Sequence, residues 1–135
     1  MAFSGNYMCT SFKKELLQGI HNLTNGSGNS FKMALYTNSA SFNAATTAYT
    51  TSNEVTGTGY VAGGNVLTNV TPTNSGTTAF AEFGDRNWPT STITARGALI
   101  YNDTASGDPT LLVLDFGSDK SSSSGDFSVV MPTYN

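Results

Sequence analysis

Few residues in this chain could do chemistry, and their types narrow what that chemistry would be. His21 is the only histidine and Cys9 the only cysteine. General base catalysis needs a base held beside a nucleophile or a metal, and a zinc site needs about four nitrogen or sulfur ligands, so neither arrangement can be assembled from one of each. Carboxylates come close together in sequence at Asp103 with Asp108 and at Asp115 with Asp119. Paired acids hydrolyse glycosides when held about 5 to 10 Å apart across a cleft. These flank turns, where solvation, a partnership with Arg96 or a weak calcium contact accounts for them, and the dense ligand pattern of a calcium loop is missing. Gly57-Thr58-Gly59 and Gly63-Gly64 are glycine-rich, but no lysine or helix-forming stretch follows as a phosphate loop requires, so they read as turns. The expectation is therefore of no enzyme, with no catalytic, cofactor-binding or metal-ligating residue and no cofactor.

Binding is the remaining class. The six basic residues, Lys13, Lys14, Lys32, Arg86, Arg96 and Lys120, are scattered, and the net charge is −3. Nucleic acid, which is gripped by clustered cations that displace counterions, is an improbable partner. There is no run of about 18 apolar residues and no signal-peptide pattern at the start, so no membrane partner is expected and synthesis in the cytoplasm is. The matches to the glycosylation sequon at Asn22, Asn25, Asn69 and Asn102 arise by chance in so Asn- and Thr-rich a chain. Trp88, Tyr49 and Tyr60 have the aromatic faces that stack on sugars, although the plainer reading of Trp88 is a cover over one end of the core.

Whatever the role, these residues need a scaffold, and composition specifies its kind. Ser, Thr, Asn and Gly make up 63 of the 135 residues, while 38% are hydrophobic and 11% charged. That is a turn-and-strand composition: mainly β, an antiparallel sandwich or barrel-like body in a single domain spanning residues 1–135, with one N-terminal amphipathic α-helix. The helix is expected over about 11–23, where Phe12, Leu16, Leu17, Ile20 and Leu23 form one apolar stripe, capped by Thr10 or Ser11 and ended by Asn25 to Asn29. Cys9, beside its start, reads as a small packing residue. His21, late in the helix, reads as a surface or boundary residue.

The β body is expected over about 31–131. Phe31 to Tyr36 alternates and is expected to be the first strand. Thr37 to Gly64 is too polar for a central strand and too long for a turn, so it reads as an extended excursion with short edge pairings, of the kind that often binds. Asn65 to Val70 and Thr77 to Phe83 follow as strands, then Arg86-Asn87-Trp88-Pro89 as a break. In the last third, pairing Tyr101 with Thr110 sets Leu99 against Leu112, Ile100 against Leu111, Ala98 against Val113 and Arg96 against Asp115, matching the one mid-strand cation to the one mid-strand anion. Pairing Phe116 with Phe127 then extends the hairpin into a three-stranded meander. The N-terminal segment Met1 to Met8 joins the excursion as a candidate contact surface.

Five stretches together resemble a family of small virion proteins of tailed bacteriophages: Cys9 to Leu17, Phe31 to Thr37, Asn53 to Tyr60, Ala95 to Asn102 and Leu114 to Gly117. The resemblance runs in order along nearly the whole chain. It implies a virion structural protein at the capsid surface, made in the host bacterial cytoplasm: a capsid cement or decoration protein. The implied partners are the major capsid protein and further copies of the chain, with a trimer favoured. The alternative is a tail-fibre, adaptor or receptor-binding module that takes carbohydrate; a hydrolase is a distant third.

Overall fold

The computed structural model describes residues 3–132. As the composition predicts, it is mainly β and antiparallel, with one short helix near the N-terminus. Its centre is a five-stranded sheet in the order β1-β8-β7-β2-β3, formed by β1 (Tyr7–Met8), β8 (Thr110–Ser121), β7 (Thr94–Asn102), β2 (Phe31–Tyr36) and β3 (Asn65–Val66). Two ribbons attach to it: β4 (Asn69–Ser75) pairs with β5 (Thr78–Phe83), and β6 (Arg86–Ser91) with β9 (Gly125–Val129). The helix α1 covers Thr10–Leu17.

β2 and β7 lie inside the sheet, which is why both are covered on two faces. Phe31, Met33, Ala34, Leu35 and Tyr36 are buried on β2, and Ala95, Ala98, Leu99, Ile100 and Tyr101 on β7. β2 is preceded by the two-residue β1, so it is the second strand and not the first. Two residues are too short a run for alternation to reveal. Gly97 has no room for a side chain: a Cβ there would stand 2.6 Å from the Phe3 ring and 2.4 Å from the Leu114 carbonyl. Phe3 is thus seated on the sheet, edge-on to Phe42, which meets Tyr36 in turn. The segment from Phe3 to Met8 is committed to its own sheet through that ring, β1 and the Asn6 side chain, which accepts the Asp115 amide at 2.7 Å. The Phe3 to Met8 part of the candidate contact segment is thus packed on its own sheet, and Met1 and Ala2 lie outside the described residues.

The helix is shorter than its apolar stripe predicts. Gln18 caps it and Gly19 turns off at φ 73°, a left-handed conformation that costs a glycine little. Cys9 occupies the N-cap with no side-chain bond, so neither Thr10 nor Ser11 serves as the cap. Phe12 is buried, but Leu16 is 43% exposed, Leu17 91% and Ile20 41%. The stripe is real in sequence and largely unmatched by anything in the chain.

The β7–β8 hairpin starts at Tyr101 and Thr110 as expected, then slips. An irregularity at Ile100/Tyr101 sets Ile100 opposite Leu112, Leu99 opposite Val113, Ala98 opposite Leu114 and Gly97 opposite Asp115. From Gly97 to Tyr101 both faces of β7 are apolar and buried, so a one-residue shift there exposes nothing and the usual penalty on register vanishes. Arg96 still reaches Asp115, Nε to Oδ1 at 3.1 Å, one residue away from Asp115's ladder partner.

β9 does not complete a meander with β8. It pairs with β6, Asn87 opposite Ser128 and Trp88 opposite Phe127, so Arg86 to Pro89 is a strand and not a break. Pro89 is accommodated where the ladder is irregular, between Trp88 and Ser91, and withholds no needed donor. Phe116 and Phe127 meet through their rings, 6.2 Å between centroids, rather than through the backbone.

Candidate functional site

The 28 residues of the excursion carry one charge, Glu54, and the structure gathers polar groups around it. Glu54 is buried, and its two oxygens accept from the Tyr49 hydroxyl at 2.7 Å, the Tyr60 hydroxyl at 2.6 Å and the Gly63 amide at 2.7 Å. Tyr60 in turn accepts the Leu35 amide of β2, and Tyr101 of β7 donates to the Gly63 carbonyl. Tyr49 stacks on Tyr101 with centroids 4.6 Å apart, and Tyr36 donates to the Thr50 carbonyl. Isolated bridges tie Tyr36 to Glu54, Ala48 to Pro109 and Thr58 to Thr92, the short edge pairings anticipated for this segment. Gly64, at φ 76°, lies so near the Met33 carbonyl that a Cβ would sit 1.8 Å from it. The excursion is therefore clamped to the sheet along its length.

Burial, followed by the neighbouring Glu54 carboxylate, pushes the Tyr49 and Tyr60 phenols well above the ordinary tyrosine range. Burial also raises Tyr36 and Tyr101, aided by Glu54 at Tyr36 and by Tyr49 at Tyr101. All four therefore stay protonated and can donate, which is what a carboxylate without a cationic partner requires.

His21 departs from its surface reading. It lies beyond the helix and is buried, against the edge of Phe12 and over Phe31. Nε2 meets Glu15 Oε1 at 3.0 Å, and Nδ1 meets Asn102 Nδ2 at 3.0 Å. The Asn102 oxygen is already taken by the Thr104 and Ala105 amides, so its nitrogen must donate and Nδ1 must accept. Both ring nitrogens are thereby occupied within the chain. Cys9 is fully buried, and burial pushes its thiol up, in keeping with the packing reading.

The carboxylates named from the sequence do not converge. Asp103 pairs with Lys32 at 3.3 Å, Asp115 pairs with Arg96, Asp108 sits in a turn at φ 49°, and Asp119 is exposed. Among the described residues no group of three His, Cys, Asp or Glu could hold a metal ion. Trp88 is 1% exposed between Tyr60 and Phe127, so it presents no face to a sugar. Tyr49 and Tyr60 spend their hydroxyls on Glu54.

Of the grooves that remain open, two lie at the ends of β8. One, of about 600 Å³, lies between α1 and the β4–β5 ribbon, and every side chain lining it is apolar, including Met8, Phe12, Leu16, Leu23, Phe80 and Leu112. The other, of about 420 Å³, runs between the far end of β8 and β9, past Phe116, Lys120, Asp126 and Val130. No helix among the described residues is long and apolar enough to cross a membrane.

Sequence reasoning missed the Glu54 cluster. A signal was present: one acid in an otherwise uncharged stretch that also holds two tyrosines. Compared with models of known protein families, with curated proteins and with solved structures, the chain matches none.

Proposed function

We propose that this chain is a structural component of a tailed-bacteriophage particle: a cement or decoration protein that lies on the capsid surface, binds the major capsid protein and works as a homo-oligomer, most simply a trimer. It acts by binding and not by catalysis. The observation that carries this reading is the apolar groove beside α1, with Met8, Leu16 and Ile20 between two-fifths and one-half exposed and Leu17 almost wholly so. Contiguous apolar surface of this kind marks a contact with another macromolecule. The virion itself comes from the resemblance of the five stretches described above. Polar chemistry in the fold is spent internally, on Glu54 and His21, which suits a passive rigid body.

Decoration proteins sit at local symmetry axes, where closed cyclic oligomers meet repeated identical contacts and several weak contacts combine into firm attachment. Counting copies per particle by quantitative mass spectrometry tests the reading. Abundance comparable to the major capsid protein is expected. A ratio many-fold lower would overturn it in favour of a tail-fibre, adaptor or receptor-binding component, whose number follows the tail's own symmetry.

A further inference from the structure

His21 is a buried ionisable group that the binding role leaves unused. Its side chain is 0% exposed, and both ring nitrogens are committed. Because Nδ1 accepts from Asn102, the single proton of the neutral ring sits on Nε2 and is donated to Glu15. Asn102, itself fully buried at the end of β7, cannot reverse this arrangement. Its oxygen accepts the Thr104 and Ala105 amides at 2.9 and 3.0 Å, and its nitrogen also donates to Asn29 Oδ1 at 2.9 Å, so a flipped amide would lose three bonds and gain one. Asn29 is fixed in turn, since its oxygen also accepts the Asn22 amide.

An imidazole that takes up a second proton must donate from both nitrogens. In His21 the new Nδ1–H would stand against the Asn102 amino group with no exposure to water. Glu15, on α1, favours the cation from the other side of the ring. The same helix brings Phe12, and burial keeps the thiol of Cys9 at its N-cap protonated. From β2 comes Phe31 and from β7 Asn102, neither of them ionisable, and their charged sequence neighbours Lys32 and Asp103 pair with each other at 3.3 Å.

We infer that residues 19–30, the strap between α1 and β2, are an acid-released device: when His21 takes up a proton its contact with Asn102 opens, and the strap parts from the ends of β2 and β7. The opened ring can bind a proton at Nδ1 and the closed one cannot, so opening takes up a proton and gains as pH falls. Other ties of the strap run to β4 from neutral groups, Asn69 to the Leu23 and Asn29 carbonyls and the Asn25 amide to the Thr71 hydroxyl. These do not respond to pH, so the strap leaves the central sheet while staying on the ribbon. Leu23 lines the groove beside α1 and moves with it, which makes the shape of that groove pH-dependent.

NMR of the full chain between about pH 7.5 and about pH 5 tests this, a range that leaves ordinary carboxylates ionised. At the upper end the ring nitrogens should report the Nε2–H tautomer. An imidazole free in water takes up its proton at about pH 6.5, so opening should become roughly 30-fold more favourable across the range when the closed ring takes up none. Amide exchange, corrected for its intrinsic pH dependence, reads the opening. Protection of the Ser30 and Asp103 amides, which bond across the join, should fall by about that factor, while Leu35 and Val55 within the body hold theirs. His21→Asn, which keeps an acceptor near the place of Nδ1 and cannot take up a proton, should abolish the response. Asn102→Asp, whose carboxylate can accept from both amides and from an Nδ1–H, should reverse it. An imidazolium signal that grows while Ser30 and Asp103 stay protected would mean that Glu15 holds the cation in a closed strap, and would overturn the inference. So would flat protection, an Nδ1–H tautomer at the upper pH, or a His21→Asn chain that still responds by about ten-fold. Should either variant not fold, the titration of the unmodified chain decides alone.

Discussion

Glu54 offers the sharpest test of how the excursion is held. In Glu54→Ala, the Tyr49 hydroxyl, the Tyr60 hydroxyl and the Gly63 amide lose their acceptor at once. A buried donor left without a partner costs about 1 to 3 kcal/mol. Tyr49 lies nearer to water than Tyr60 and recovers part of its loss by solvation, so the sum falls at roughly 3 to 5 kcal/mol rather than at three full penalties. Against a typical stability of about 5 to 15 kcal/mol that is a large fraction. Glu54→Gln should be much milder, about 1 to 2 kcal/mol. Its carbonyl oxygen still accepts from Tyr60 and Gly63, and its amide can donate to a Tyr49 hydroxyl that turns to accept. The assay is urea unfolding of the two variants beside the unmodified chain, with the midpoint and slope both recorded. An Ala variant within about 0.5 kcal/mol of the unmodified chain, or a Gln variant as damaged as Ala, would refute the clamp.

Alkaline stability should report on the same cluster. Tyr36, Tyr49, Tyr60 and Tyr101 are raised in the folded state, so their stabilisation is complete below the unfolded phenol value of about 10 and is lost as pH climbs above it. Phenolate absorbance for these four should rise together with unfolding, and four independent titrations in a folded chain would contradict this. Reversing either charge of Arg96 and Asp115, whose side chains are 18% and 12% exposed, should cost about 1 kcal/mol in urea unfolding, with the double reversal recovering most of it. Recovery should stop short of complete, because Arg96 also donates to the Phe3 carbonyl at 3.4 Å. Cys9 should resist a thiol reagent in the native state and react fully in denaturant; fast native labelling would show that its pocket opens readily.

What the sequence made legible follows from how each element is stabilised. β2 was readable to the residue because Phe31 to Tyr36 is an apolar stretch, alternating at Lys32 and bounded by polar loops. Cys9 and the Arg96–Asp115 partnership were readable because each needed only local or side-chain logic. The exact register was not. It depends on irregularities at Ile100/Tyr101 and Ala95/Gly97, and a strand apolar on both sides gives no sequence penalty for a slip. The pairing of β9 was hidden for a related reason. Phe127 meets Phe116 by ring contact and Trp88 by ladder, and sequence adjacency favours the hairpin over the distant partner. The helix stripe predicted a docked helix reaching Leu23, well past the observed end at Leu17, because the pattern cannot say whether the matching surface belongs to the same chain. The burial of His21 and the cluster around Glu54 were hidden for the opposite reason: their partners, Asn102 and Gly63 among them, are brought together only by the fold.

That distinction bears on how the surface is used. Long polar excursions usually bind through flexible tips, but here 28 residues are bolted down by a buried carboxylate, four tyrosines and a glycine wedged against Met33. Clamping removes most of the ordering entropy that a mobile loop would lose on contact. Apart from Val61 within the excursion, the large apolar groups left uncovered among the described residues stand at Met8 and α1, at Val66 and Val70, and at the end of β9. A ribbon of two strands is marginal by itself in water, and β4–β5 is braced where Phe83 meets Phe31, where Asn69 reaches the Leu23 and Asn29 carbonyls and where the Thr71 hydroxyl accepts the Asn25 amide. A neighbour seated between that ribbon and α1 would therefore support the ribbon while hiding the apolar groove lining. Assembly and folding stability then act on the same residues, so a substitution such as Leu16→Ala, nearly neutral in an isolated chain, should show its cost in the assembled state.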